Sequence, residues 1–300
     1  MQDKKNSNVR LVFNLTIGIV AVSCGAVFVR CAQADGMPTI AIAAWRMIFA
    51  SAVLLPYSFA TRRIELCSIP RRELLLMACA GIFLGLHFAA WISSLGFTSV
   101  SSSVVLVSMG PVFVALGSWI FLRERPARAT FIGLVLAAAG SVIVSWGDFG
   151  RGHHQLLGDF LALTGAVFVA GYLLIGRKVR ANRSLIAYIA PVYGIAMLTL
   201  LAVAAVSGSP LTGFSLPAYG WALALGLVPQ LIGHSTLNWA LARLSATFVA
   251  LITLAEPIGS SLLARAVLHE AITLQTALGA LPILAGIYIA SRKELAGRFT

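Results

Sequence analysis

The chain has 300 residues, of which 59% are hydrophobic and only 11% charged, and its mean hydropathy is +0.92. Soluble globular proteins carry about 25% charged residues, so this composition excludes a water-soluble enzyme. The net charge of +12, on so apolar a chain, indicates basic loops that face an anionic membrane surface rather than a nucleic acid.

The four cysteines predict neither a metal site nor a disulfide. Cys24, Cys31, Cys67 and Cys79 include no CxxC pair, and three of them lie in apolar runs. A thiol in such a run behaves as a small hydrophobic group.

Runs of apolar residues predict ten transmembrane helices, because a helix needs about 20 such residues to cross the hydrocarbon core. The connections between the runs are too short for a soluble domain, so the predicted fold class is all-α integral membrane. The predicted spans are 11–31, 40–60, 74–95, 100–122, 130–146, 160–176, 185–206, 218–241, 246–268 and 272–291.

Basic residues in the short loops predict the orientation, because they resist translocation. With the N-terminus in the cytoplasm, 18 of the 22 basic residues fall on the cytoplasmic side. We therefore expect both termini to be cytoplasmic, in a bacterial cytoplasmic membrane. The first span and Ala32-Gln33-Ala34 imitate a secretory signal, but the apolar run is longer than in such signals, so we expect an uncleaved helix.

The two halves of the sequence repeat each other. Each half, 1–150 and 151–300, holds five predicted spans, and an odd number forces the second half to enter the membrane from the opposite face. The sequence therefore predicts two inverted five-helix repeats, an arrangement typical of alternating-access transporters. An offset of 146 residues aligns, without a gap, Pro111 with Pro257, Glu124 with Glu270, Gly133 with Gly279 and Gly140 with Gly286.

Two segments carry a resemblance to a known family. They are LHFAAWISSLGFTSVSSSVVLVSMGPVFVALGSWIFLRE and LITLAEPIGSSLLARAVLHE, each followed by a helix with a Gly-x6-Gly pattern. The chain resembles the EamA-type members of the drug/metabolite transporter superfamily over nearly its whole length, and is similar in particular to aromatic amino-acid exporters. The resemblance implies ten helices around a central substrate cavity and export of metabolites or amino acids. Leu268-His269-Glu270 departs from the more usual Leu-Gly-Glu, so we expect that turn to differ.

Two prolines interrupt predicted spans near mid-membrane. Proline frees a carbonyl one turn earlier, so Pro111 and Pro257 predict kinks that shape a cavity or allow gating, packing kinks being the alternative. Glu256 is the one acid inside a predicted span, where an ionised carboxylate is costly. Glu256 is thus a candidate for binding a substrate ammonium or a coupled proton, the alternative being a protonated side chain bonded to a freed carbonyl. Thr253 and Ser260 share its helical face.

Two other spans carry polar stripes at helical spacing. Unpaired polar groups are costly in hydrocarbon, so these stripes should face protein or water. We interpret them as candidates for substrate binding or coupling, with interhelical hydrogen bonding as the alternative for the two histidines. The stripes are His87, Trp91 and Ser94 in the third span and Gln230, His234 and Asn238 in the eighth.

Aromatic side chains within the spans are candidates for contact with an aromatic substrate. Tyr172 is the better cavity candidate, whereas Trp91 and Trp239 lie nearer to span ends and also fit an interfacial belt. Arg46 lies near the outer end of the second span, so we expect its long side chain to reach the interface. An ion pair or a contact with a substrate carboxylate is the alternative for Arg46.

Helix ends and glycines complete the candidate residues. Glu124 and Glu270 end corresponding spans near Arg123, Arg125 and Arg265, and they are candidates for gating ion pairs or static salt bridges. The Gly-x6-Gly pairs of the fifth and tenth spans are expected to allow close helix packing.

These features favour a secondary transporter that exports small organic metabolites, above all amino acids including aromatic ones. Nucleosides and quaternary ammonium or drug-like cations are the alternative substrates on the same fold. A polytopic membrane enzyme is disfavoured, because the spans contain one acid and no HExxH motif. ATP hydrolysis is disfavoured as well, because the sequence contains no GxxxxGK[ST] motif. The expected partners are a small-molecule substrate and the lipid bilayer, without a cofactor. The sequence carries no signal of oligomeric state.

Overall fold

The computed structural model describes residues 2–98, 103, 106–145, 155–268, 272 and 274–296. Within these ranges the chain forms ten helices and no β-strand. The helices are α1 (Gln2–Ala34), α2 (Thr39–Cys67), α3 (Arg71–Ser94), α4 (Gly110–Leu122), α5 (Arg128–Ser145), α6 (Gln155–Arg180), α7 (Leu185–Ser207), α8 (Leu216–Leu241), α9 (246–268) and α10 (Leu274–Ala296).

The helices are those of a multi-pass membrane protein. Seven of them are long and apolar enough to cross a membrane, and α4, α5 and α10 contain shorter apolar helices in their described parts. The outward faces are apolar as well: Phe121, Phe131 and Leu281 are all more than half exposed, as expected of side chains that contact lipid. This architecture confirms the predicted fold class.

Two helices break at corresponding places. In the fourth span a turn at 108–109 separates the helical residues 106–107 from the α-helix Gly110–Gly117 that begins α4. In α9 the 3-10 turn Thr253–Ala255 precedes the α-helix Glu256–Leu268. Each α-helix starts one residue before a proline, Pro111 or Pro257, because proline is tolerated in a first helical turn but not in a helix interior. Both breaks lie where Pro111 and Pro257 predict kinks.

Helix α8 widens in its middle. The segment Gly226–His234 is a π-helix between two α-helical segments, Leu216–Leu225 and Ser235–Leu241. Pro229 lies within it and has no N–H to donate to the preceding turn, which favours the wider hydrogen-bonding pattern. The wide turn carries the polar residues of the eighth span.

Contacts between helices follow the repeat. Helix α3 packs on α6 and α7 as α8 packs on α1 and α2, and α4 packs on α6 as α9 packs on α1. The pairs α2 with α7, α4 with α9 and α5 with α10 join the two halves directly. Exchanging the halves leaves this set of contacts unchanged, as a pseudo-twofold axis between them requires.

The crossing of α5 and α10 shows that the repeats are inverted. Gly133 faces the backbone of Gly286, and a methyl group added to Gly140 would lie 2.6 Å from the carbonyl oxygen of Gly279. The first glycine of each helix thus meets the last glycine of the other, so the helices run antiparallel. Since they occupy the same place in their repeats, this arrangement fits two inverted repeats and confirms the predicted close packing.

A second pair of glycines positions α2 beside the wide turn of α8. A methyl group added to Gly81 of α3 would lie 2.7 Å from the carbonyl oxygen of Val192, and one added to Gly226 of α8 would lie 2.9 Å from that of Arg46. Val192 and Arg46 are 146 residues apart, the repeat offset. The close approach brings the Arg46 backbone to the start of the π-helical segment.

Ion pairs close one end of the bundle, which we call the basic end because the basic loops lie there. Arg183 donates to Glu73 at 2.6 Å and joins the α6–α7 loop to α3. Ser184 donates from its backbone nitrogen and its hydroxyl to Glu65 of α2, at 2.9 and 2.6 Å. These bonds connect the start of α7 to α2 and α3.

Glu124 also lies at the basic end, with a partner that differs from the expected one. Arg177 of α6 donates to Glu124 Oε1 at 3.0 Å and to the Leu241 carbonyl oxygen at 2.9 Å. The sequence predicts Arg123 and Arg125 as the neighbouring cations of Glu124. Arg123 takes a left-handed φ of +57°, which ends α4 and turns the chain, and the cation that bonds to Glu124 comes from α6.

Aromatic side chains cover the opposite end. Trp45 of α2 donates to the Leu211 carbonyl oxygen at 2.8 Å and stands edge-on to Tyr219, with 5.0 Å between ring centroids. Trp221 donates to Asp35 at 3.1 Å. The segment between α7 and α8 is thereby held against α1 and α2.

Candidate functional site

Arg46 is buried in the middle of the bundle, so the expectation that it reaches the interface is wrong. Only 3% of the residue is exposed. Its Nε donates to Oε1 of Gln230 at 2.9 Å, and its guanidinium carbon lies 4.1 Å from the centre of the Phe88 ring. Close packing of α2 against α8 supplies these partners inside the protein, where sequence reasoning saw only the distance to the helix end.

The polar stripe of α8 faces the same region. Asn238 donates to the hydroxyl of Tyr172 on α6 and to the His234 carbonyl oxygen at 2.8 Å. The His234 ring lies edge-on to Phe88, with 5.4 Å between centroids, and 6.4 Å from the Tyr172 ring. The predicted cavity candidate Tyr172 and the predicted stripe therefore meet.

The stripe of α3 divides between two surroundings. His87 donates from Nδ1 to the Gly165 carbonyl oxygen at 2.9 Å, since a carbonyl can only accept. Its ring is parallel to that of Trp91, with 6.2 Å between centroids. Ser94 bonds to Ser103 at 2.6 Å and to the Trp91 carbonyl oxygen at 2.7 Å, so its hydroxyl is engaged in packing. His87 of α3 thus makes an interhelical hydrogen bond with α6, which is the alternative to substrate binding or coupling that the sequence leaves open for this residue.

Two buried tyrosines of α7 were not predicted, and one of them, Tyr193, joins the region. Tyr193 is completely buried, and its hydroxyl lies 3.3 Å from the Ser235 hydroxyl and 3.5 Å from the Gln230 carbonyl oxygen. Tyr188 is also completely buried. Their phenol groups in an otherwise apolar span were a usable signal, but tyrosine counts as apolar in a search for spans.

Together these residues form a central cluster. We use that name for one cation with its amide partner, the aromatic rings around them and the polar residues bonded to those rings. The central cluster consists of Arg46, His87, Phe88, Trp91, Tyr172, Tyr193, Gln230, His234 and Asn238.

Glu256 lies at the edge of the central cluster. It begins the second α-helical segment of α9, is half-buried, and its carboxylate interacts electrostatically with Arg46 without an ion pair between them. Ser260 does not share this environment, because its hydroxyl donates to the Ser23 carbonyl oxygen of α1 at 2.9 Å. Thr253 belongs to the 3-10 turn, which disrupts the single helical face predicted for the three residues.

Several buried polar atoms of the central cluster lack a hydrogen-bond partner among the described residues. They are Nε1 of Trp91, Nε2 of Gln230, Nδ1 of His234 and Oδ1 of Asn238. Buried polar groups in proteins are normally bonded, and a cluster of unbonded ones is what a polar ligand would satisfy. The central cluster thus offers a fixed cation, hydrogen-bonding groups and aromatic walls.

The remaining candidates lie outside the central cluster. Pro111 and Pro257 stand at the helix starts described above, Glu124 is at the basic end, and Glu270 lies outside the described residues. All four cysteines are free thiols. No group of three or more metal-ligating side chains occurs in the part of the chain that the structure describes.

Inverted five-helix repeats around a buried polar centre define a membrane transporter of the secondary, inverted-repeat class. The model of the EamA-like transporter family matches residues 12–146 and 156–292. The chain belongs to that family, which consists of transporters and not of enzymes.

The chain is similar in sequence to several transporters. An uncharacterized transporter of Archaeoglobus fulgidus is 28% identical over 85% of this chain and 89% of its own length. The pseudopaline exporter CntI of Pseudomonas aeruginosa is 26% identical over 61% of this chain and 63% of its own. A crystal structure of a protein 20% identical in sequence superposes with a TM-score of 0.77, covering 94% of this chain and 98% of that one. The last similarity supports the fold alone.

Proposed function

We propose that the protein exports small organic metabolites, above all amino acids including aromatic ones, by alternating access through a cavity at the central cluster. The two repeats, residues 1–150 and 151–300, act as the two moving halves, and both termini lie in the cytoplasm of a bacterial cell. The similarity to a pseudopaline exporter favours export as the direction.

The composition of the central cluster, together with Glu256 at its edge, is the observation that carries this proposal. Arg46 and Glu256 offer opposite charges, as the carboxylate and ammonium of an amino acid require. Trp91 and Tyr172 offer aromatic faces to a side chain. A nucleoside needs neither charge, and a quaternary cation would be repelled by Arg46, so the same cluster disfavours both alternatives.

The helix breaks supply the moving parts. Starts of α-helix at Gly110 and Glu256 leave each broken helix with a segment that can tilt about the break. At the basic end, the bonds of Arg177 with Glu124 and of Arg183 with Glu73 must open before a solute can enter from the cytoplasm. Such surface ion pairs are weak enough, at roughly 0 to 1 kcal/mol each, to act as a reversible gate.

Efflux from loaded proteoliposomes tests the proposal. The vesicles are loaded with L-phenylalanine, L-leucine, adenosine or tetraethylammonium, and release is followed with and without a pH gradient. We expect saturable release of the amino acids only. Release confined to adenosine or tetraethylammonium would overturn the substrate class, and no release of any solute by folded protein would overturn the function.

A further inference from the structure

The Gln230 amide has an orientation that chemistry determines. A guanidinium can only donate hydrogen bonds, so the atom of Gln230 that Arg46 Nε contacts at 2.9 Å must be the amide oxygen. The amide nitrogen, Nε2, therefore lies beside the guanidinium with its hydrogens directed elsewhere. It is buried and has no partner among the described residues, and Gln230 itself is completely buried.

Arg46 likewise has donors to spare. Its Nε is bonded to Gln230, whereas its two terminal nitrogens make no hydrogen bond with the residues that the structure describes. The Phe88 ring covers one face of the guanidinium. Because the N–H groups of a guanidinium lie in its plane, a further hydrogen-bond acceptor binds along the edge of that plane. A planar group with two oxygens fits that edge and forms two parallel hydrogen bonds.

The surrounding charges leave the cation of Arg46 uncompensated at short range. Glu256 is the one carboxylate that interacts with it electrostatically, and these two described residues form no salt bridge. The other ionisable groups that face Arg46 are His87, His234 and the two buried tyrosines, Tyr172 and Tyr193. None of them is an anion at neutral pH. A buried cation of this kind is stabilised by an anion that enters with the ligand.

We propose that Arg46 and Gln230 form a carboxylate-binding site, so that the solutes this protein transports carry a carboxylate group. Arg46 provides two terminal N–H donors along its free edge, and Gln230 Nε2 provides a third. This inference rests on the proposed function and narrows it, because it makes the carboxylate, and not only the aromatic side chain, a requirement for transport. Amines, amides and quaternary cations of similar shape are then excluded.

A pair of solutes that differ in this group alone provides the test. L-phenylalaninamide has the shape of L-phenylalanine but lacks the carboxylate. At equal loading of proteoliposomes we expect the wild-type protein to release the acid about 10-fold faster or more, the ratio that charge-assisted hydrogen bonds provide. In Arg46→Gln this ratio should fall to near 1, and Arg46→Lys, which keeps the charge without the fork, should give an intermediate ratio.

Two further variants provide a second test of the site and a control. In Gln230→Glu the new side chain has nearly the shape of glutamine, and its carboxylate would itself bind the guanidinium of Arg46. This variant should therefore lose the preference for the acid, and it provides the test even if Arg46→Gln fails to fold. Arg243→Gln removes an exposed cation that stacks on Trp239, 4.2 Å from the ring centre, and should keep the wild-type ratio.

The outcomes separate this inference from the function on which it rests. Equal release of acid and amide by the wild-type protein would overturn the carboxylate site while amino-acid export stands, as would an unchanged ratio in both Arg46→Gln and Gln230→Glu. Release of tetraethylammonium without release of L-phenylalanine would overturn both the site and the substrate class. No release of any solute by folded protein would overturn the transporter function together with the site.

Discussion

Glu256 is the carboxylate that can carry a coupled proton in the proposed mechanism. It stands where α9 resumes after the 3-10 turn, half-buried and within electrostatic range of Arg46. Glutamine has nearly the same shape but does not titrate. We therefore expect Glu256→Gln to abolish the response of amino-acid efflux to an imposed pH gradient, measured in proteoliposomes at fixed substrate loading.

Asp159→Asn is the matched control for this variant. Asp159 accepts a hydrogen bond from Thr98 at 2.8 Å near the start of α6, away from the central cluster, and its replacement should preserve the response to pH. If Glu256→Gln responded to the gradient as the wild-type protein does, Glu256 would not be the coupling residue.

Trp91 is predicted to select for aromatic substrates. Its ring is half-buried and parallel to His87, and its indole N–H has no partner among the described residues. An aromatic contact contributes roughly 0.5 to 1.5 kcal/mol beyond burial, so Trp91→Leu should raise the half-saturation concentration for L-phenylalanine about 2- to 12-fold. The value for L-leucine should change little.

Trp239→Leu provides the comparison for Trp91. Trp239 stacks on Arg243 at the basic end. Trp239→Leu should therefore leave the half-saturation concentrations for L-phenylalanine and L-leucine unchanged. Equal effects of Trp91→Leu on the two amino acids would mean that Trp91 contributes packing and not recognition.

The side chains of the site were only partly predictable. His87, Trp91, Tyr172, His234 and Asn238 were found because a polar or aromatic residue at helical spacing is conspicuous in an apolar span. Their meeting was not predictable, since it depends on how the helices cross.

Arg46 is the clearest example of a site residue whose surroundings were not predictable from the sequence. From sequence, its distance from the helix end favoured the interface, whereas in the structure the wide turn of α8 brings Gln230 to within 2.9 Å of it. Ser94 and Ser260, which the sequence also predicts as site residues, have hydroxyls that bond to Ser103 and to the α1 backbone. A stripe of polar residues does not separate binding from packing.

The crossing of α5 and α10 depends on glycine. A methyl group on Gly140 would lie 2.6 Å from the Gly279 carbonyl oxygen and 2.7 Å from Ile283, so the helices would have to separate. Overpacking of this kind costs about 1 to 3 kcal/mol. We expect Gly140→Ala to lower the melting temperature of the detergent-solubilised protein.

Gly220→Ala is the control for this substitution. Gly220 is also helical, but a methyl group there would meet nothing within 4 Å. Because alanine has the higher helix propensity, the melting temperature should stay the same or rise. Equal melting temperatures for Gly140→Ala and the wild-type protein would show that the crossing tolerates separation.

Helices were more predictable than their interruptions. Hydropathy located the ten helices, since about 20 apolar residues are needed to cross the membrane. The prolines marked the breaks before Glu256 and Gly110, but hydropathy treats α-, π- and 3-10 geometry alike. The π-helical segment Gly226–His234 was therefore not predicted, although Pro229 was a signal for it.

The relation between the two halves was predictable from four aligned pairs of rare residues. The offset that aligns Gly133 with Gly279 also describes how α5 meets α10, and it relates Arg46 to Val192, whose carbonyl oxygens the glycines of α8 and α3 approach. A sequence repeat persists because both halves must pack in the same way against each other. The ion pairs at the basic end were less predictable, since Arg177 reaches Glu124 from a different helix.

Alternating access at the central cluster is the claim on which the account depends, and counterflow tests it directly. Proteoliposomes are loaded with excess unlabelled L-phenylalanine and diluted into a trace of labelled L-phenylalanine. A carrier whose site faces one side at a time exchanges the two, so we predict that the label accumulates transiently above its equilibrium level. A label that rises steadily to equilibrium without an overshoot, or that does not enter, would contradict the account.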